Sequence, residues 1–505
     1  MKTLLINGND LTFAQLHEVV FAGAEVSLDA AARARMEASR AVIERLVASG
    51  ATAYGVNTGF GDLAQVRISP DQIRQLQVNL VRSHACGVGA PLSEPEVRAM
   101  ILLRANALAK GFSGVRPIVV EVLSAMLNRG VHPVIPSQGS VGASGDLAPL
   151  AHLAQVVIAE GEAVYQGKKM PGREALERAG IAPLQLEAKE GLSLLNGTQG
   201  MLALLALALR EAQTLVDTAD VAAALSLDAL RGSPAAFDER LARARPHEGQ
   251  AASAQNLLRL NRGSQIRESH RSAERDPRVQ DAYSLRCTPQ VHGTVRDAIA
   301  QAARTAAIEL NSATDNPLVF ADTGDVISGG NFHGQPLAAA ADHLAIALAT
   351  LGGIAERRIE HMTNPHTSLL PAFLVAEPGL NSGFMLAQVT AAALAGEMKA
   401  LAAPHSVHSI PTSGNQEDFV SMGMGAARRL RPMLDNLQNI IAIELLAACQ
   451  GIDLLAPLGT GAEAQKACDL VRALSPRLER DRSLAPDIAA VAARIAEGAF
   501  QKILA

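Results

Sequence analysis

Tryptophan is absent from this sequence, tyrosine occurs three times, and aromatic residues make up only 3% of the chain. Nor is there an excess of positive charge: 45 Lys+Arg stand against 50 Asp+Glu, a formal net charge of −5. A nucleic-acid binder needs a basic stripe and, for single strands, aromatic stacking platforms, so that class is excluded. The four cysteines, Cys86, Cys287, Cys449 and Cys468, show no C-x-x-C spacing, which argues against both a zinc site and a disulfide framework. No uninterrupted apolar run approaches the ~18 residues of a membrane span. The longest, Met201 to Leu209, is half that, and the opening MKTLLINGND is broken by Asn7 and Asp10 too early for a signal peptide. The expectation is a soluble, cytoplasmic protein, with length for roughly two to four domain-sized units.

What is abundant is alanine and leucine at helical spacing. From Gly200 onward the segments beginning at Met201, Thr294, Pro336 and Pro432 are long and apolar on more than one face, as in helices buried among other helices. The first 200 residues mix helices (Leu28–Ala48, Asp71–His84, Glu94–Lys110) with short Gly-, Asn- and Pro-rich segments. TLLINGNDLT has the pattern of a strand or two, and VYQGKKMPG that of a small hairpin. Arg240–Arg278 is polar and weakly periodic, as in solvated loops and short helices. The predicted fold is mainly α: a smaller mixed, loop-rich N-terminal domain over 1–200 and a long-helix bundle over 201–505 that forms an oligomer core.

Long polar loops inside a helical protein need a reason. Gly142-Ala143-Ser144-Gly145-Asp146 fails as a serine elbow, because Asp146 stands where the second glycine belongs and no strand is expected before it. It fails as a phosphate loop for want of Gly-Lys-Ser/Thr. Gly59-Phe60-Gly61 is only a fragment of a dinucleotide fingerprint, with no βαβ unit around it. The bland alternative is a glycine-rich helix start capped by Asp146. A chemical alternative is cyclisation: the Gly145 nitrogen attacks the Ala143 carbonyl carbon, one water leaves, and loss of the Ser144 hydroxyl as a second water leaves an exocyclic methylidene. Small residues are required for that close backbone approach.

Gly-Ala-Ser-Gly-Asp-Leu-Ala-Pro-Leu-Ala-His at 142–152 resembles the signature of the aromatic amino acid ammonia-lyases and aminomutases. Further segments match that family in order: Tyr54-Gly-Val-Asn-Thr-Gly-Phe-Gly61, Asn196-Gly-Thr, Gln280-Asp-Ala-Tyr283-Ser-Leu-Arg286, Thr314-Asp-Asn-Pro317 and Gly329-Gly-Asn-Phe332. The resemblance implies an autocatalytic 4-methylidene-imidazole-5-one on Ala143, Ser144 and Gly145. It also implies no metal or diffusible cofactor, an all-helical homotetramer, and active sites shared between subunits. It casts Tyr54 as the base for the β-proton and Arg286 as the bidentate holder of the substrate carboxylate. Asn196, Tyr283 and Gln280 become polar groups around the electrophile and carboxylate, and Phe332 lines the pocket. Asn196 has a plain alternative as an Asn-Gly turn residue, and Asp146 either assists ring closure or only caps a helix.

Two further positions bear on the substrate. Ser83-His84 and Asn415-Gln416-Glu417-Asp418 resemble the histidine-specific members, where a carboxylate at Glu417 can take an imidazole N–H that a phenyl ring lacks, and His84 can meet the ring's far edge. Phe419 departs from that pattern, which commonly has histidine there. The implied reaction is elimination of ammonia from L-histidine to trans-urocanate. The alternatives are a tyrosine or phenylalanine lyase or aminomutase, and, from another class, a non-catalytic helical scaffold. The fumarase-like lyases are set aside for lack of their Gly-Ser-Ser segment.

Overall fold

The computed structural model describes residues 3–59, 65–272, 274–276 and 278–504, so Phe60 and Gly61 of the first motif lie outside the described residues. About 60% of the chain is helical, roughly twice the share in ordinary domains, and the mainly-α expectation holds. The chain divides into two compact units: residues 1–207, 303–342 and 404–428 form one, and 208–302, 343–403 and 429–505 the other. A single cut at 200/201 therefore differs from the structure. It falls inside helix Gln199–Ala229, and the first unit takes back two later segments because the chain leaves and re-enters it along long helices.

Every strand among the described residues lies in the first unit. Leu4–Ile6 pairs in parallel with Val26–Leu28. The expected hairpin forms from Glu162–Tyr165 and Lys168–Pro171, with Val131–Pro133 added on its outer edge. Pro136–Gln138 pairs with Val88–Pro91, so a short strand does precede the Ala143-Ser144-Gly145 loop. The helix expected from Leu28 runs Ala30–Ser49: Asp29 accepts from the N–H groups of Ala31 and Ala32, and Gly50 ends it at φ +68°. At the centre lies Glu94–Ala109, opened by a Ser93/Glu96 capping box and buried on every face from Val97 to Ala109. Such a helix is apolar by necessity, yet it carries Arg98, Arg104 and Asn106 inside the unit.

The second unit is built of helices. Leu430–Leu454 is buried continuously from Ile440 to Ile452, and each Leu or Ile so buried contributes about 1.5–3 kcal/mol. Its one buried carboxylate, Glu444, is met by Arg358 and Ser226. The polar stretch expected as short helices contains Glu239–Ala244, Glu248–Leu260 and Gln265–Ser269. Among the described residues, two helices, Gln335–Thr363 and Gly423–Leu454, are long and apolar enough to cross a membrane. Their apolar windows are 61% and 78% buried, as core helices are.

Candidate active site

The loop after strand Pro136–Gln138 is held by contacts from distant parts of the first unit. Gly145 forms a parallel bridge with Gly197. Asp146 N–H donates to Gly197 O at 2.7 Å, and Gly197 N–H donates back to Ser144 O at 3.3 Å. Asn196 Nδ2 donates to the same Ser144 oxygen at 3.0 Å. Gly145 sits at φ +74°, and a Cβ there would come within 2.1 Å of Gly197 O, so only glycine permits this approach. On the other side Met422 N–H donates to Val141 O at 2.8 Å, and Ser421 Oγ lies 3.5 Å from Gly142 O.

Asp146 begins helix Leu147–Val157, but its side chain makes no cap to that helix, so the capping alternative is corrected. The carboxylate instead accepts from Met201 N–H at 2.8 Å and Ser140 Oγ at 3.0 Å, and also from Gly200 N–H. Gly200 and Met201 belong to the first turn of helix Gln199–Ala229, whose free N–H groups need an acceptor. Asp146 thus caps a helix remote in sequence, which no local pattern announces. It is wholly buried, and the loss of hydration raises its pKa to about 6 against those hydrogen bonds.

Asn196 follows the buried helix Glu190–Leu195. Its own carboxamide reaches across to Ser144, which corrects the reading of Asn196 as a mere turn residue; its Oδ1 is buried with no hydrogen-bond partner. Beneath it lie Arg104, Lys189 and Glu309, which sequence reasoning did not single out, together with residues of the Thr314-Asp-Asn-Pro317 motif. Arg104 donates to Asn196 O, and Lys189 pairs with Asp315 at 2.7 Å with both side chains buried. Thr198 Oγ1 bonds Glu309 at 2.5 Å, and Gln199 Nε2 donates to Thr314 Oγ1 at 2.8 Å. The Thr314-Asp-Asn-Pro317 motif therefore props the Asn196 loop. Asn316 Oδ1 also takes Gly329 N–H at 2.7 Å, tying in the segment that carries Phe332. The available signal was a pair of arginines, Arg98 and Arg104, in the apolar run of one helix.

Tyr54 is half-buried, and a Cβ on its neighbour Gly55, at φ +70°, would come within 2.3 Å of Leu192 Cδ2 and 3.5 Å of Pro317 Cδ. The Tyr54 loop is fixed by Asn57, whose Nδ2 donates to Ala51 O at 2.8 Å and whose Oδ1 accepts from Ala53 N–H at 2.9 Å. His84 ends helix Ile73–His84 half-buried, with Nδ1 2.9 Å from Leu80 O. Burial lowers its pKa, while the Leu80 carbonyl and the charge of Glu417 pull it upward, so His84 and Glu417 lie within electrostatic reach of one another. Glu417 accepts from Thr412 Oγ1 at 2.8 Å. Phe419, the departure from pattern, stacks on His333 at 6.2 Å between ring centres, and His333 Nε2 lies 3.2 Å from the Phe419 carbonyl. Phe332 is half-buried beside them in sequence.

The remaining predicted residues belong to the second unit. Gln280 is exposed, and Tyr283 is 70% exposed at the start of the one-turn helix Tyr283–Arg286. The Arg286 guanidinium lies 4.5 Å over the Tyr283 ring, and its Nε donates to Asp281 O at 3.0 Å.

A family model described as aromatic amino acid lyase matches residues 11–473. The chain belongs to that family. Among its relatives, histidine ammonia-lyase of Koribacter versatilis (strain Ellin345) is 58% identical over 511 residues, covering 99% of this chain and 98% of that protein. The crystal structure of histidine ammonia-lyase from Trypanosoma cruzi superposes with a TM-score of 0.92 at 44% identity, covering 100% of this chain and 95% of that one. Tyrosine aminomutase from Streptomyces globisporus gives 0.95 at 40% identity, covering 100% and 98%.

Proposed function

We propose that the chain is a histidine ammonia-lyase, a carbon–nitrogen lyase that converts L-histidine to trans-urocanate and ammonia. The observation that carries the reading is the convergence of Asn196 Nδ2 and Gly197 N–H on the Ser144 oxygen, in a loop whose glycines admit the close backbone approach. The residues fit an autocatalytic 4-methylidene-imidazole-5-one: Ala143, Ser144 and Gly145 supply its atoms, and Asn196 Oδ1 is buried without a partner beside them. That group supplies an electrophile that ordinary side chains lack. Asn196 and Gly197 stabilise negative charge on the Ser144 oxygen, as paired N–H donors do in a dry site. Tyr54 takes the β-proton, which requires its phenol to be more acidic than the usual value near 10. Arg286 grips the carboxylate, with Gln280 and Tyr283 as polar neighbours. His84 and Glu417 read the imidazole, Phe332 lines the pocket, and a phenyl substrate would leave the Glu417 charge without a partner.

Four features support a soluble, cytoplasmic homotetramer with shared sites. Leu386 and Val389 are exposed along helix Met385–Leu401, Tyr283 is exposed, and the longest apolar helices are buried.

The test is ultraviolet absorbance of purified protein mixed with L-histidine, L-tyrosine or L-phenylalanine in parallel. Urocanate from histidine alone is expected. Cinnamate or coumarate would favour the second reading, an enzyme of the tyrosine or phenylalanine type, for which Phe419 is the observation. No product from any of the three would favour a scaffold.

A further inference from the structure

Arg104 and Arg358 are the largest wholly buried side chains among the described residues; Arg358 meets the Glu444 carboxylate, whereas the recorded acceptors of Arg104 are all neutral. Nη1 donates to Asn196 O at 2.8 Å and to Gln199 Oε1 at 2.7 Å, while Nη2 donates to Ser193 O. The carboxylate that influences it, Asp315, is already bonded by Lys189 and Ser193 at 2.7 Å each. Burial pushes the guanidinium down to about 10, so it stays charged at neutral pH. A cation taken out of water to face carbonyls gives little net stability. Its use lies in what those carbonyls do next.

The Asn196–Gly197 peptide has Arg104 on its oxygen and Ser144 O on its N–H. A cation pulling on the carbonyl end polarises the peptide and strengthens the N–H as a donor at the other end. The same contact fixes the backbone from which Asn196 Nδ2 reaches Ser144. Gln199, held by Arg104 and bonded onward to Thr314 Oγ1, locks the far side of the turn. The fit is tight: a Cβ on Gly197, at φ +153°, would come within 2.4 Å of both Arg104 Nη1 and Gln199 Oε1. We infer that Arg104 is a positioning residue for the reaction, holding and polarising the Asn196–Gly197 peptide so that two donors meet the Ser144 oxygen. This rests on the ammonia-lyase reading of the same site.

The experiment compares wild type with Arg104→Lys and Arg104→Met by kcat and KM for L-histidine, Tm, and the mass of the tryptic peptide containing Ser144. In wild type that peptide is expected to weigh less than its sequence by two waters. Arg104→Lys keeps the charge but not the fork, and should keep the mass deficit while kcat falls about 10-fold. Arg104→Met removes both, and kcat should fall about 100- to 1,000-fold. KM should stay within about threefold in each, since the donors act on charge that develops during reaction. A graded loss in kcat, with lysine partly rescuing, supports the assignment. Equal losses in both variants that follow a fall in Tm, insoluble protein from both, or kcat within about twofold of wild type would each overturn it. A wild-type peptide that retains both waters, or wild type inactive on histidine, overturns the parent reading and this inference with it. An active wild type beside fully active variants overturns this inference alone.

Discussion

The cluster around Ser144 and the turn around Tyr283 are built in opposite ways. In the first, Ala143, Gly145, Asp146 and Asn196 are buried, and beside the local bond from Ser140 the loop is held from dozens to hundreds of positions away, by Met201 on Asp146 and by Ser421 on Gly142. In the second, Gln280 and Tyr283 are exposed and Arg286 is held by a carbonyl five residues away, with Ser233 N–H on Asp281 at 2.6 Å as a tie from outside the turn. Groups that make or stabilise an electrophile need fixed distances in a dry setting, and only remote packing supplies them. Under the proposed function the residues of the turn collect the substrate, a task that needs access rather than enclosure. Changes in the buried cluster should therefore act on chemistry or stability, and changes in the exposed turn on binding alone.

The largest effect expected is from Ser144→Ala. Without the hydroxyl no second water can leave, so turnover should fall by about 1,000-fold or more and the peptide mass deficit of two waters should vanish. The fold should persist, because the recorded hydrogen bonds at Ser144 go to its carbonyl oxygen. Turnover unchanged in this variant would end the contrast at its root. Next, Arg286→Lys should raise KM for histidine about 10- to 100-fold through loss of the bidentate grip, with Tm unmoved. A drop in Tm of several degrees would mean that the exposed turn also carries structure.

The smallest effect on turnover is expected from Asp146→Asn, assayed at neutral pH; its signature is in stability. With a native pKa of about 6 against 3.8 for the free group, folded protein holds a proton that unfolded chain has lost between those values. Stability contributed by this site is thus greatest below about pH 4, declines as pH rises to about 6, and is flat above. Asparagine keeps an acceptor for Met201 N–H and cannot titrate, so the variant's Tm should gain on wild type by a few degrees across that window. A wild-type-minus-variant difference that rises with pH would reverse the sign and refute the buried-carboxylate account.

Much of this was legible in advance because it depended on spacing along the chain. Ala-Leu periodicity gave the long helices, the helix expected over Leu28–Ala48 lies within two residues of its place at Ala30–Ser49, and VYQGKKMPG holds the expected hairpin. The resemblance of the ordered motifs to a known family pointed to Ser144, Asn196 and Arg286. What the spacing hid was every partnership across the fold. Asp146 stands one residue before a helix it does not cap by its side chain, and caps another that begins more than fifty residues later. Arg104 lies in an apolar helix with no motif, and its meaning appears only when Asn196 is folded onto it.

The sequence by itself determined the helical class, the order of the reactive loops, and the residue types able to cyclise, since those follow from periodicity and covalent chemistry. Tertiary structure alone decided which donors meet the Ser144 oxygen, which carboxylate is buried enough to hold its proton, and how the chain partitions into two interleaved units. Hydrogen bonds, desolvation and packing act through distances in space, and residues far apart in the chain acquire those distances only when it folds.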